Sequence, residues 1–243
     1  MEGVTQNKLD ENATAEEETK QIAWTTSQLP GVMLVANPQA KESARELINF
    51  ASEEHRVYVG LRAGDCFEAL DAWRKLVGDD ANAAEKLKYV VAGRTFRRLC
   101  DETKIPYAPD EKLLKQLGMS AGRVSELYKP NLTGVIRDEK GQEIPDTWCH
   151  GLGYRGRFGV YELFNVDDEV RAAIKSGVGT AALRPLFRKQ KRKYLQEAAL
   201  QRVQTGDTSV QEFLRVFKPA DDKRPSSSSA SRPPSSRPKP AAQ

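Results

Sequence analysis

The segment Cys149-His150-Gly151-Leu152-Gly153-Tyr154-Arg155-Gly156-Arg157-Phe158-Gly159-Val160-Tyr161-Glu162-Leu163 constrains this chain more than any other. It holds four glycines in the nine positions 151–159. Glycine is favoured where φ is positive or where backbones approach too closely for a Cβ. Gly153, Gly156 and Gly159 recur at every third position around Tyr154 and Arg157, which reads as a tight turn feeding a strand over 157–164. A phosphate cradle is the sharper alternative, but no Lys-Ser/Thr pair follows and no helical pattern begins there.

Upstream, Gly31-Val32-Met33-Leu34-Val35 is a short apolar run closed by Asn37-Pro38, the pattern of a buried strand. Ala44, Leu47, Ile48 and Ala51 fall at helical spacing, so an amphipathic helix over 41–51 follows. Val57–Leu61 reads as a second strand, and Asp65 as the cap of a helix carrying Phe67, Leu70 and Trp73. A third helix is predicted over 84–99. This alternation implies a parallel sheet with crossover helices. Pro106, Pro109, Pro130 and Pro145 then interrupt the chain, leaving room for a short helix at 111–117 and a hairpin at 134–144. Helices are predicted at about 167–176, 180–190 and 193–204. A last helix to Val216 follows Asp207-Thr208-Ser209, with Glu212 in capping-box register three residues after Ser209.

Both ends differ from this middle. Residues 1–30 carry six acids against two lysines, with few large apolar groups before Ile22 and Trp24. Residues 1–28 are therefore expected to be disordered. Residues 218–243 form a Pro/Ser/Arg tail with nothing to bury, also expected to be disordered. Between them lie an α/β segment, 29–105, and a mostly helical domain, 106–217. Hydrophobic residues make up 39% of the chain and charged residues 30%, enough for a core under a very polar surface. The acidic amino terminus does not read as a signal peptide, and no run approaches the ~18 apolar residues of a membrane span, so a cytoplasmic protein is expected. Three widely spaced cysteines do not read as a disulfide framework.

Three elements in order carry a family resemblance. The glycine-rich run resembles the segment after the P-loop core in type II secretion and type IV pilus assembly ATPases. Asp167-Asp168-Glu169-Val170-Arg171 with Ile174 resembles that family's short helix. Gly206-Asp207-Thr208-Ser209 with Glu212, Arg215 and Val216 resembles its closing signature. The resemblance covers about residues 30–217 and is strongest over 147–217. It implies a RecA-like fold, here a partial, degenerate parallel sheet followed by the mostly helical carboxy-terminal domain. It also singles out Gly153, Tyr154, Arg155, Gly156, Arg157, Gly159, Glu162, Glu212 and Arg215 as motif or interaction residues.

The family's nucleotide chemistry is not matched. No G-x-x-x-x-G-K-[ST] run exists, so no lysine and amide cradle for the β- and γ-phosphates is present. Residues 32–35 sit where the family has its Walker B strand, but Ala36-Asn37-Pro38-Gln39-Ala40 follows in place of the family's Gly-Glu-Ile-Arg-Asp. The family's His box aligns with Gly60-Leu61-Arg62-Ala63-Gly64, putting Arg62 in place of the histidine. Arg94, Arg97, Arg98, Leu99 and Cys100 resemble a basic helix ending in Leu-Cys. The paired C-x-x-C zinc pattern of many members is reduced to Cys100-x-x-Thr103 and Asp146-x-x-Cys149, with His150 adjacent. Cys100, Asp146 and Cys149 are thus a degenerate metal set, and neither zinc nor unaided ATP binding is expected.

Six bases occur in the ten positions Arg184–Lys193, but Leu183, Leu186, Phe187, Tyr194 and Leu195 make this read as the solvated face of two packed helices, not a nucleic-acid site. The reading that results is a non-catalytic, truncated relative of the secretion or pilus ATPases. It acts as an assembly or regulatory component, alone or in a homo- or hetero-oligomer. Its expected partners are a full-length ATPase or the inner-membrane platform that such an ATPase serves. The rival reading is half of a split P-loop ATPase completed in trans.

Overall fold

A computed structural model describes residues 4–10, 13–120, 122, 124–137 and 140–217. The tail expected at 218–243 lies outside the described residues. Among the described residues the fold is mixed α/β, with one small parallel strand pair and helices from Ala15 to Phe217.

The first unit begins with helix α1, Ala15–Thr26, where the composition predicts disorder. Thr14 and Glu17 close a capping box at its start. Polar contacts dock it. Glu18 accepts from the backbone N–H groups of Gln39 and Ala40, Thr26 donates to Glu46, and Thr19 meets Ser43. Ile22 is its one buried large apolar side chain. Strand β1, Val32–Ala36, pairs in parallel with β2, Arg56–Gly60, across helix α2, Lys41–Phe50. Helix α3, Cys66–Val77, is capped by Asp65, whose carboxylate accepts from the N–H groups of Phe67 and Glu68. Helix α4 spans Asp80–Glu85.

Residues 89–99, predicted helical, are instead the long strand β3, Tyr89–Leu99. It pairs antiparallel with β8, Tyr154–Asn165, from Tyr89 opposite Asn165 to Leu99 opposite Tyr154, with a register shift between Arg97 and Leu99. Between them lie β4, Ile105–Tyr107, paired with β5, Leu127–Lys129; helix α5, Glu111–Gln116; and the hairpin β6, Val135–Arg137, with β7, Glu143–Pro145. Helices α6, Asp168–Lys175; α7, Thr180–Lys189; α8, Leu195–Gln204; and α9, Val210–Phe217 complete the described residues. The region after 106 is therefore not only helical: it contributes β8, which is as much a part of the sheet as β3.

One face of the β3–β8 ribbon covers two cores in succession. Val90, Ala92 and Phe164 pack with Phe67, Leu70, Ile174 and Phe187 of α3, α6 and α7. Further along, Phe96 and Val160 pack with Leu114, Leu127, Ala199 and Phe213 of α5, β5, α8 and α9. The first unit has smaller cores, built on Ala44, Trp73 and Val77, and on Ile22, Met33 and Leu47. Among the described residues, no helix is long and apolar enough to cross a membrane.

Candidate functional site

The glycine-rich turn enters β8 at Tyr154. Gly153 has φ +68° and lies against Pro130, 2.4 Å from where its Cβ would stand, so any side chain there meets both strain and a rigid ring. Gly156 has φ +80° with open space around it, so its need is conformational only. Gly159 is not in the left-handed region. The Tyr161 ring lies across it and across Gly93 on the facing strand, and neither position has room for a Cβ beneath that ring.

The other motif residues divide by which way the strand turns them. Arg155 and Arg157 are exposed, and their side chains form no hydrogen bond or ion pair among the described residues. Glu162 faces inward, between Val160 and Phe164 on the ribbon's apolar side. One of its carboxylate oxygens accepts from Cys66 N–H at 2.5 Å and the other from Leu195 N–H at 2.8 Å. These are the first residues of α3 and α8. A single anion therefore caps two helix N-termini, each carrying orphan amides and the positive end of its dipole. It sits where the two ribbon cores meet. Beneath it Cys66 is buried, and burial, with the Glu162 carboxylate second, pushes its thiol far above the ordinary range.

Glu212 is the second buried acid. Ser209 caps its N–H as the spacing predicts, at 3.1 Å. The Glu212 side chain does not return to the cap. It reaches β3, accepting from Arg97 N–H at 3.0 Å and from the Arg97 and Arg215 guanidiniums at 2.6–2.8 Å. Burial opposes its ionisation, but the hydrogen bonds from Arg215 and Arg97 outweigh this and hold the carboxyl at about 2. The same closing segment binds β3 twice more: Thr208 Oγ1 donates to Arg97 C=O, and Leu99 N–H donates to Asp207 C=O. The Tyr154 hydroxyl meets Ser209 Oγ at 2.7 Å, and Arg97 stacks over the Tyr154 ring. Tyr154, Glu162, Glu212 and Arg215 are thus clamps of the fold, and Arg155 and Arg157 are the motif's free charges. Strand parity is the signal for the first clamp: Glu162 shares the side of the strand held by Val160 and Phe164.

The four positions of the degenerate metal set do converge. Cys149 Sγ lies 2.9 Å from Asp146 Oδ2 and 3.3 Å from Thr103 Oγ1, with the Cys100 thiol beside it. The Asp146 carboxylate also accepts from the backbone N–H groups of Trp148, Cys149 and Gly151. The Cys149 thiol and these amides hold it well below the usual carboxylate range. Burial, then the neighbouring Asp146, raises the Cys149 thiol. Asp146 is consumed in fixing the turn before Gly151, and a hydroxyl stands where a thiolate is needed, so the donor set does not fit a zinc ion. Among the described residues, no group of three His, Cys, Asp or Glu side chains has the geometry to hold a metal.

After β1, residues 36–40 present no acid, and Asn37 sits at φ +53°. The amides of Gln39 and Ala40, at the start of α2, are occupied by the Glu18 carboxylate at 3.0–3.1 Å. Arg62 is exposed just beyond β2. These residues do not fit a magnesium–nucleotide: they offer no carboxylate for the metal's water shell, and the Glu18 carboxylate holds the N-terminus of α2.

Type IV pilus assembly ATPase PilB of Thermus thermophilus is 29% identical over 187 residues, 76% of this chain and 20% of that protein. Type II secretion system protein E of Dickeya dadantii is 29% identical over 189 residues, and type II secretion system ATPase E of Vibrio cholerae 28%, each match covering 78% of this chain and 35% of the relative. The chain thus spans between a fifth and about a third of the length of these relatives. The ATPase DotB of Legionella pneumophila superposes with a TM-score of 0.47 and 14% identity, covering 81% of this chain and 41% of that structure, a likeness too loose to argue from. The model of the family described as type II/IV secretion system protein matches residues 1–215, and the chain belongs to that family.

Proposed function

We propose that this chain is a non-catalytic component of a type II secretion or type IV pilus machine, working through surfaces rather than through nucleotide turnover. The observation that carries the reading is the segment after β1, acid-free from Ala36 to Ala40 and closed by Glu18. The exposed pair Arg155 and Arg157 offers two unpaired charges to a partner's carboxylates. The partner in this reading is a full-length secretion ATPase or the inner-membrane platform it serves, and the chain works in the cytoplasm. It holds no stoichiometric zinc.

Titration calorimetry of the 243-residue protein with magnesium-ATP tests the first half. No heat of binding and no phosphate release are expected, and micromolar affinity would overturn the reading. Co-sedimentation with a purified full-length secretion ATPase of the same organism tests the second. Binding that weakens when Arg155→Ala and Arg157→Ala are combined supports the surface role, and no binding by the intact protein removes it.

A further inference from the structure

Six of the ten residues from Arg184 to Lys193 are basic, along α7 and in the turn that leads to α8. Two of them are neutralised: Arg188 meets Glu197 at 2.8 Å and Lys189 meets Glu169 at 2.5 Å. Lys193 donates to the neutral side chain of Gln201. Among the described residues, the side chains of Arg184, Lys191 and Arg192 have no hydrogen bond or ion pair, and all three are exposed. The helix accounts for only part of this charge. Cations in the last turn of α7 complement its dipole, but Lys191, Arg192 and Lys193 lie past the helix end, where that effect fades. The ground beneath is fixed. Arg184 lies over the Phe67 ring at 4.5 Å and Arg188 over the Tyr194 ring at 4.2 Å, and Tyr194 stacks on Phe187 at 4.7 Å. Phe67 and Phe187 belong to the buried core. A guanidinium seated on a ring keeps its N–H edge free for a planar, bidentate acceptor.

We infer that this face, from Arg184 to Lys193, is a docking surface for a carboxylate-rich segment of a partner protein. The surroundings of the charges select that partner. A membrane surface calls for bases beside exposed apolar groups that enter the lipid. Here Leu183 and Phe187 are buried, and no large apolar side chain of residues 180–195 is exposed. Single-stranded nucleic acid calls for open aromatic rings on which bases stack. Here Phe67 and Phe187 are buried, and Tyr194 is half-buried with Arg188 over its ring. Carboxylates need neither, only guanidiniums with free N–H groups, and the pair of Arg188 with Glu197 already shows that match on this face. The surface shares no residue with the Arg155 and Arg157 pair, so either can fail without the other. It is also independent of whether the chain turns over nucleotide.

The test uses a fluorescein-labelled peptide of alternating glutamate and alanine, with glutamine replacing glutamate in its control. We expect saturable binding of the acidic peptide by anisotropy, weakening as salt is raised, and no binding of the control. Lys191→Gln with Arg192→Gln removes two side chains that have no partner among the described residues, so the melting curve should stay unchanged while binding weakens. Adding Arg184→Gln should bring the loss to about tenfold, since each exposed pair is worth a few-fold at most. Arg45→Gln, Lys112→Gln and Lys115→Gln together remove the same charge from exposed positions elsewhere and should leave binding intact. Equal losses from the two triple variants would make the attraction a matter of net charge and overturn the inference, as would no saturable binding. Tighter binding of a single-stranded DNA oligonucleotide, or of phosphatidylglycerol vesicles, lost with Lys191→Gln and Arg192→Gln, would assign the face to nucleic acid or to membrane and overturn it too.

Discussion

The β3–β8 ribbon and the β1–β2 pair are both two-stranded sheets backed by helices, yet they are finished to different degrees. The ribbon carries two cores on one face and is fastened by buried carboxylates at Glu162 and Glu212, each with every oxygen engaged. The pair rests on small cores, keeps an open edge, and shows Val32, Leu34 and Tyr58 to solvent. A sheet fragment can therefore be self-sufficient where its helix ends are capped from within, and stay incomplete where its edges alone remain to be satisfied. The carboxy-terminal half belongs to the first kind.

The sharpest way to break the contrast is Glu162→Ala. It orphans the first amides of α3 and α8 in a dry interior, and we expect a loss of about 3 kcal/mol, read as a lower melting temperature by circular dichroism. An unchanged melt would mean that packing alone holds the ribbon. Gly153→Val comes next, at about 2 kcal/mol, because a positive φ and the Pro130 ring both oppose it. Gly156→Val, with strain but no clash, should cost about 1 kcal/mol, and a reversed order would refute the assignment of the two glycines.

Acid probes the second clamp. The Glu212 carboxyl is depressed in the folded chain, to about 2 from an ordinary 4.5. A depressed pKa means that its contribution is complete above about 4.5 and drains away as pH falls toward 2. Glu212→Gln should cost about 1 kcal/mol at neutral pH and flatten the loss of stability below pH 4.5. A variant that still falls as steeply as the parent would place the acid sensitivity elsewhere. Smallest of all, Leu34→Ser in the open pair and the double change Arg155→Ala with Arg157→Ala should each move stability by less than about 0.5 kcal/mol. A large loss from Leu34→Ser would show the open face to be covered.

Much of this was legible in the residues. The Asp65 cap, the strand at Val32, the helix at Ala44 and the closing helix after Ser209 stand close to where periodicity and capping put them. Strand β3 was not. Tyr89 and Val91 face outward while Val90 and Ala92 face inward, so both sides of the strand are apolar and the two-residue period is hidden. Its partner β8 lies more than fifty residues away, beyond any local window. Helix α1 escaped for the opposite reason: its docking rests on Glu18, Thr19 and Thr26, which a composition reading counts as solvent-facing. The direction of Glu212 was out of reach as well, because the spacing that predicts a capping box is equally good for an arginine clamp onto a distant strand.

The carboxylate of Glu162 also bears on how the molecule opens. It ties residues 66, 162 and 195, which are far apart along the chain, at the point where two cores meet. Neither core can fray through this point without stranding the same charge, so helices α3 and α8 should exchange their amide hydrogens with a common opening free energy. The two cores then behave as one cooperative unit, and a loosening felt at Phe67 reaches Phe213 without any rigid rod between them.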